Sequence, residues 1–301
     1  MIEGVMIRGP RSVAVACRRP DGGIAVRAET LVGVYVSPLR RVPFLRGVIV
    51  LWETLVLGMR ALIFSSNVAL GEEAKEINRS AIWVTALAAL AIVAVLFFAG
   101  PVFLTRWLEG VFDSNVIVVL IEGLVRLVIL VAYIGLIGLL PDIRRVYAYH
   151  GAEHKSIHAL EAGEPLEAAY VQRHSMAHVR CGTSFLLTVV VVSVVVFVAV
   201  GTPELWLRVV SRIVLIPVIA AVAYEVIRLG GTFAGNPIVR ALMWPNLALQ
   251  ALTTRQPDDG QVEVALRALG EVLAAEGVEK VEKVEKVEKV ERGAPSRPLE
   301  G

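Results

Sequence analysis

The chain has 301 residues, 56% of them hydrophobic, and a formal net charge of +2; its mean hydropathy is +0.67. That hydropathy excludes an ordinary water-soluble domain. The small net charge says little by itself, and no nucleic-acid partner is expected.

Residues 1–43 open the chain. Within them SVAVACRRPDGGIAVRAETL, residues 12–31, sets two alternating runs around Pro20-Asp21-Gly22-Gly23, which predicts a small N-terminal cytoplasmic β-hairpin. Pro38 and Pro43 then break the chain. Residues 44–79 follow, and FLRGVIVLWETLVLGMRALIF at 44–64 carries Arg46, Glu53 and Arg60 at sevenfold spacing. That spacing keeps the three charges on one face and predicts an interfacial or half-buried amphipathic helix.

Four runs approach or exceed the roughly 20 apolar residues that cross a bilayer. The first transmembrane pair occupies residues 80–140, with runs at 80–104 and 115–140, and the second occupies 183–228, with runs at 183–200 and 206–228. The chain therefore reads as a mainly α, polytopic helical membrane bundle of about four transmembrane helices. Ionisable residues at membrane depth face a bundle interior or an aqueous cavity. Glu122 and Arg126 are spaced for an internal ion pair, and Arg212 and Glu225 lie in the fourth span. Pairing that orders the bundle is one reading of these residues; a polar cavity leading to the histidines is the other.

Lys and Arg number eleven in residues 1–79 and five in the 141–182 connection, against one in 105–114 and none in 201–207. The positive-inside rule puts the N-terminus, the 141–182 connection and the C-terminus in the cytoplasm. No cleavable signal peptide is expected, because Met1 leads into charged, glycine-containing sequence. Cys17 and Cys181 both fall on the reducing side, which argues against a disulfide. Residues 229–276 read as a cytoplasmic helix–loop–helix segment, with Asp258 or Asp259 capping the helix that carries Val262, Leu266 and Leu269. Residues 277–301 form a charged tail built on a VEK triplet. A period of three builds no stable apolar stripe, so the tail is expected to be solvated.

The chemistry gathers in the 141–182 connection. All five histidines, His150, His154, His158, His174 and His178, lie within 29 residues, and Cys181 follows them. His150 and His154 are one helical turn apart, so their imidazoles share a face. That is how a helix offers two nitrogens to one zinc ion, with Glu153 placed to act as general base. The order H-x-x-E-H occurs in a group of zinc peptidases. A third ligand must come from elsewhere, and His158, Glu161, His174, His178 and Cys181 are the candidates. Gly151 costs about 1 kcal/mol relative to Ala inside a helix, which places the pair at a helix start. Two rivals stand beside a catalytic metal: a closed structural site with four protein ligands, and a Cys181–His178 nucleophile pair.

IEGVMIRGP (2–10), HGAEHKSIHALE (150–161), HVRCGTSFLL (178–187) and LQALTTRQPDD (249–259) resemble the YqhQ-like family of bacterial membrane proteins. The resemblance implies a multi-pass protein of the bacterial inner membrane and a predicted metal-dependent enzyme. It implies a metal role for His150, Glu153, His154, His158, His178 and Cys181, without fixing a reaction. The family's lead Gly-Gly-Gln-Ala-Val is not found before IEGVM, and Val179 stands where the family has proline, which loosens the turn before Cys181. Together the residues and the resemblance lead to a membrane enzyme, hydrolytic in kind, with a divalent transition metal, zinc above others. The alternative is a non-catalytic accessory subunit of membrane-protein insertion or quality-control machinery, with a structural metal. The expected partners are the lipid bilayer and other membrane proteins.

Overall fold

The computed structural model describes residues 1–71, 79–178, 181–233 and 235–278. Val179 and nearly all of the VEK tail lie outside the described residues. Among the described residues the chain is mainly helical, with one small antiparallel sheet at its start.

Strands β1 (Gly4–Arg8), β2 (Ser12–Arg18) and β3 (Ile24–Thr30) pair antiparallel in that order. The expected hairpin is β2–β3. Its turn has Gly22 at φ +88°, and Asp21 Oδ1 accepts the Gly23 N–H at 2.9 Å, the turn chemistry expected of these residues. Strand β1 is additional: it adds to the outer edge of β2 with Val5 opposite Ala16 and Ile7 opposite Ala14.

The helices are α1 (Leu45–Leu70), α2 (Arg79–Ala94), α3 (Gly100–Thr105), α4 (Asn115–Ile137), α5 (Pro141–Ala162), α6 (Ala168–Val171), α7 (Gly182–Val200), α8 (Leu205–Val214), α9 (Ile216–Thr232), α10 (Pro237–Thr253) and α11 (Asp259–Ala275). A π-helical segment, Val95–Ala99, joins α2 to α3. Segments Leu45–Leu70, Trp83–Leu108, Asn115–Ile137 and Gly182–Val200 are each long and apolar enough to cross a bilayer, and α8 with α9, bent by 47°, qualifies as a pair. Helix α1 thus runs further than the 44–64 stretch suggests.

The molecule has two parts. In the first, α11 lies between the sheet and α5, and one core joins Val5, Ala14, Tyr149, Ala159, Val262 and Leu269. Asp258 starts α11 with a capping box: its side chain accepts the Gln261 N–H at 2.8 Å, and the Gln261 side chain accepts the Asp258 N–H at 3.0 Å. That reciprocal cap satisfies two otherwise orphaned donors.

The second part is the apolar helix bundle, and buried charge sets its interior. Glu122 is fully buried and accepts from three guanidiniums: Arg126 at 2.8 Å, Arg208 at 2.9 Å and Arg212 at 3.0 Å. The expected Glu122–Arg126 pair is therefore part of a larger group that ties α4 to α8. Arg126 also donates to Phe97 O at 2.8 Å and Ser193 Oγ at 3.1 Å, and Arg212 lies 4.0 Å over the Phe197 ring. Glu225 pairs separately with Arg46, joining α9 to α1. Glu53, the buried charge of α1, holds Arg8 of β1 and Arg40. The sevenfold charges of α1 thus face the sheet and α9.

Removing one partner of a buried charge group costs about 3–5 kcal/mol, against about 0–1 kcal/mol for an exposed pair. Glu122→Gln is therefore expected to lower the thermal unfolding midpoint of the purified protein sharply. Glu29→Gln, whose partners Arg27 and Arg60 are 56% and 59% exposed, should leave the midpoint nearly unchanged; equal midpoints for the two variants would refute the assignment.

Candidate metal centre

Helix α5 presents His150, His154 and His158 on successive turns of one face. Its other face carries Tyr149, Ala152 and Ala159, which are buried in the core shared with α11. Pro141 occupies the first turn, where its missing N–H costs nothing, and Gly163 ends the helix at φ +68°. Gly151 does not mark a helix start; it sits well inside α5. A Cβ there would lie 2.3 Å from Arg255 O. Alanine would gain about 1 kcal/mol of helix propensity but would overpack against backbone, which costs about 1–3 kcal/mol. The close approach of residues 253–255 decides the glycine.

That approach orients the imidazoles. His150 Nδ1 donates to Thr253 O at 2.8 Å, leaving Nε2 free of the carbonyl. His154 Nδ1 donates to Met176 O, and His158 Nε2 donates to Ala177 O at 2.8 Å. A carbonyl on one ring nitrogen fixes the tautomer and aims the lone pair of the other, as in metal-ligating histidines.

Cys181 is the N-cap of α7, and its sulfur accepts the Thr183 N–H at 3.3 Å. His150 Nε2 lies 3.2 Å from Cys181 Sγ. The imidazole that meets the thiol is thus His150, where the nucleophile-pair alternative expected His178. Ligand atoms of His150, His154 and Cys181 all fall within 4.8 Å of one another, and so do those of His158, Glu161 and His178. A zinc ion with bonds of about 2.0 Å to nitrogen and 2.3 Å to sulfur spaces a tetrahedral N/S pair about 3.5 Å apart. The first group fits that dimension. His174 joins neither group: its Nε2 meets Glu164 at 3.1 Å, and its ring stacks on His158.

Glu153 also belongs to neither group, yet it lines the same cavity of about 640 Å³ with His150, His154, His178 and Cys181. The opposite wall combines Ile7 of β1 and Leu269, Val272 and Leu273 of α11, which are apolar, with the charged Arg8 and Glu276. A cavity of about 790 Å³ between α9 and α10 is larger, but none of the histidines lines it.

Burial pushes the Glu153 carboxyl above its usual range, against the pull of His150 and His154. Burial also raises the Cys181 thiol, but the facing imidazoles of His150 and His154 outweigh it and bring the thiol down to about 5. Burial lowers His150, and the neighbouring sulfur with the Glu153 charge more than offsets that, raising it to about 9. Without metal, the two form a thiolate–imidazolium pair between those values. Both groups must present lone pairs to a metal, so binding there would release the His150 proton.

Sequence reading missed the residue that places His178. Gln250 is 1% exposed; its Oε1 accepts the His178 N–H at 2.9 Å, and its Nε2 donates to His178 O at 2.9 Å and Ser184 Oγ at 2.8 Å. The signal was LQALTTRQPDD, residues 249–259, one of the stretches that carry the family resemblance. It supplies Gln250, the Thr253 carbonyl and the Arg255 carbonyl that packs on Gly151. Lys155 does similar work for the 172–174 loop, donating to Gln172 O at 2.7 Å and His174 O at 2.8 Å.

The depressed thiol gives a pH signature. The Cys181 thiolate is expected to persist as pH falls toward about 5, so alkylation by iodoacetamide in metal-free protein should differ little between pH 6 and pH 8. A thiol of ordinary pKa near 8.5 would slow on the order of 100-fold over that drop. Cys17, raised to about 11 by burial, should stay unreactive. His150→Ala should restore the steep dependence at Cys181; an ordinary thiol profile in the wild type would refute the pair.

Residues 42–275 match a family described as protein of unknown function (DUF1385). The chain is 35% identical over 295 residues to the uncharacterized protein YqhQ of Bacillus subtilis (strain 168), covering 93% of this chain and 92% of that protein. No solved structure matches the chain. The chain belongs to the YqhQ-like, DUF1385 family.

Proposed function

We propose that this member of the family is a multi-pass protein of the bacterial inner membrane carrying a metal-dependent, hydrolytic centre on its cytoplasmic face. The observation that carries the reading is the meeting of three ligand atoms, from His150, His154 and Cys181, with a non-ligating carboxylate, Glu153, in one open cavity.

The membrane reading rests on parity. The sheet, α5 and α11 share one core and so lie on one side of any bilayer that the helices cross. The chain must then cross an even number of times between sheet and α5, and again between α5 and α11. The α2–α3 segment with α4 supplies the first pair, and α7 with the bent α8–α9 supplies the second. Helix α1 is also long and apolar enough to cross, but a crossing there would make the first count odd. Its Leu57 and Ala61 instead pack beneath Val13 and Val15 of β2, which supports a helix lying along the membrane surface. The Lys and Arg asymmetry assigns the sheet side to the cytoplasm.

In the centre, a zinc ion held by His150, His154 and Cys181 would supply Lewis acidity and a water of lowered pKa. Glu153 lines the cavity without joining the ligand group, so its carboxylate takes the proton of the attacking water. Burial raises its pKa, which makes it a stronger base than an exposed carboxylate. The apolar side chains of the opposite wall bind the non-reacting part of the substrate. The second reading, an accessory subunit with a structural metal, draws on the carbonyls and the Gln250 clasp, which tie α5, α7 and α10 together as a structural site would.

Two experiments test these readings. Single cysteines placed at residue 110 and residue 165 are expected to label from outside and inside the membrane, respectively; labelling from the same side would break the parity. Glu153→Gln is expected to stay folded and keep its metal, yet lose function as completely as a gene deletion, since a general base contributes roughly 10²–10⁴ in rate. His154→Ala should lose much of the metal by elemental analysis. A Glu153→Gln protein that is metal-loaded and fully functional would favour the accessory subunit.

A further inference from the structure

The six candidate donors divide into two triads that share no member. His150 and His154 of α5 converge with Cys181; His158 and Glu161, from the following turns of α5, converge with His178. The arrangement repeats: two donors from α5 and one from the segment leading into α7. We propose that the second triad is a separate divalent-metal site, so that the centre is dinuclear. The inference rests on the metal reading of the first triad and deepens it.

Coordination number makes the first argument. A tetrahedral transition-metal ion takes four ligands, so one ion cannot use six protein donors and still keep a position for water. Two triads accommodate all six and leave each ion open. Distances make the second. Glu161 Oε2 and His178 Nε2 are 3.4 Å apart, the separation of two donors bound at about 2.1 Å in a tetrahedral arrangement. His158 has its Nε2 on Ala177 O, which leaves Nδ1 with the lone pair. The triads are also neighbours. His154 and His178 ring centroids are 5.7 Å apart, and His158 and His178 centroids 4.8 Å apart.

The donor sets differ in kind. Two imidazoles and a thiolate are soft and select zinc; two imidazoles and a carboxylate are harder and also accept iron(II) or manganese. Glu161 has its side chain 40% exposed, while Cys181 is 6% exposed. The second ion therefore binds at the open side of the cavity and exchanges more readily. Paired ions of this kind clamp a substrate oxygen between two positive charges. A second ion here would add that capacity to the Glu153 chemistry.

Cobalt(II) separates the two sites, because a thiolate-to-cobalt charge-transfer band reports the Cys181 triad alone. Metal-free protein, full length and in detergent, is titrated with Co²⁺ while bound metal is counted by equilibrium dialysis. The wild type is expected to bind two equivalents, with the charge-transfer band saturating after one. Glu161→Gln and His158→Gln should each bind one equivalent with the band intact. Cys181→Ser should lose the band and retain one equivalent. Circular dichroism verifies that each variant is folded, and the exposed Glu161 makes its variant the safest. A wild type that binds one equivalent with the full band, unaltered by Glu161→Gln, overturns the second site and leaves the first standing. A wild type with neither band nor bound cobalt overturns the first site and the second with it.

Discussion

Helix α5 must satisfy two faces at once, and the rest of the structure follows from that demand. One face bears imidazoles that need carbonyl partners, with Gly151 beside them leaving room for backbone; the other bears Ala152 and Ala159, which are buried against α11. The close approach of Arg255 to Gly151 brings Thr253 O onto His150, so the steric fit and the tautomer are one event. Helix α11 covers the remaining small residues and is itself covered by the sheet. No part of this arrangement belongs to one stretch of sequence.

The parts of the fold that composition alone controls were legible. Apolar runs at 115–140 and 183–200 became α4 and α7 because length and hydropathy suffice to specify them. The Pro-Asp-Gly-Gly turn produced its hairpin for local reasons as well. Strand β1 was not legible, since GVMIR is too short to announce itself and gains its place by pairing with β2. Gly151 was misread because intrinsic propensity penalises glycine wherever it occurs, whereas here a carbonyl occupies the space a side chain would need.

At the centre, the period of four brought out the histidine face of α5, since a helix converts spacing directly into direction. Which outside residue meets which pair was not legible. Cys181 meets His150, and His178 meets Glu161, because Gln250 fixes the backbone of His178 from a helix far along the chain. The removal of His174 toward Glu164 has the same origin in loop placement. Arg208 escaped notice for another reason: it stands at the edge of its apolar run, and its role appears only when α8 brings it against Glu122.

The core beneath α5 draws on Val5 and Ala14 near the beginning of the chain, Tyr149 and Ala159 in the middle, and Val262 and Leu269 near the end. On the ribosome this core cannot close until α11 has emerged. Through most of synthesis, then, α5 has its small-residue face bare while the apolar helices on either side find their places. Contacts so distant in sequence form late, and late-closing apolar surface is where nascent chains are most exposed to misassembly. The histidine face becomes competent last of all, so a chain cut short before α11 would have all its apolar helices and no finished centre.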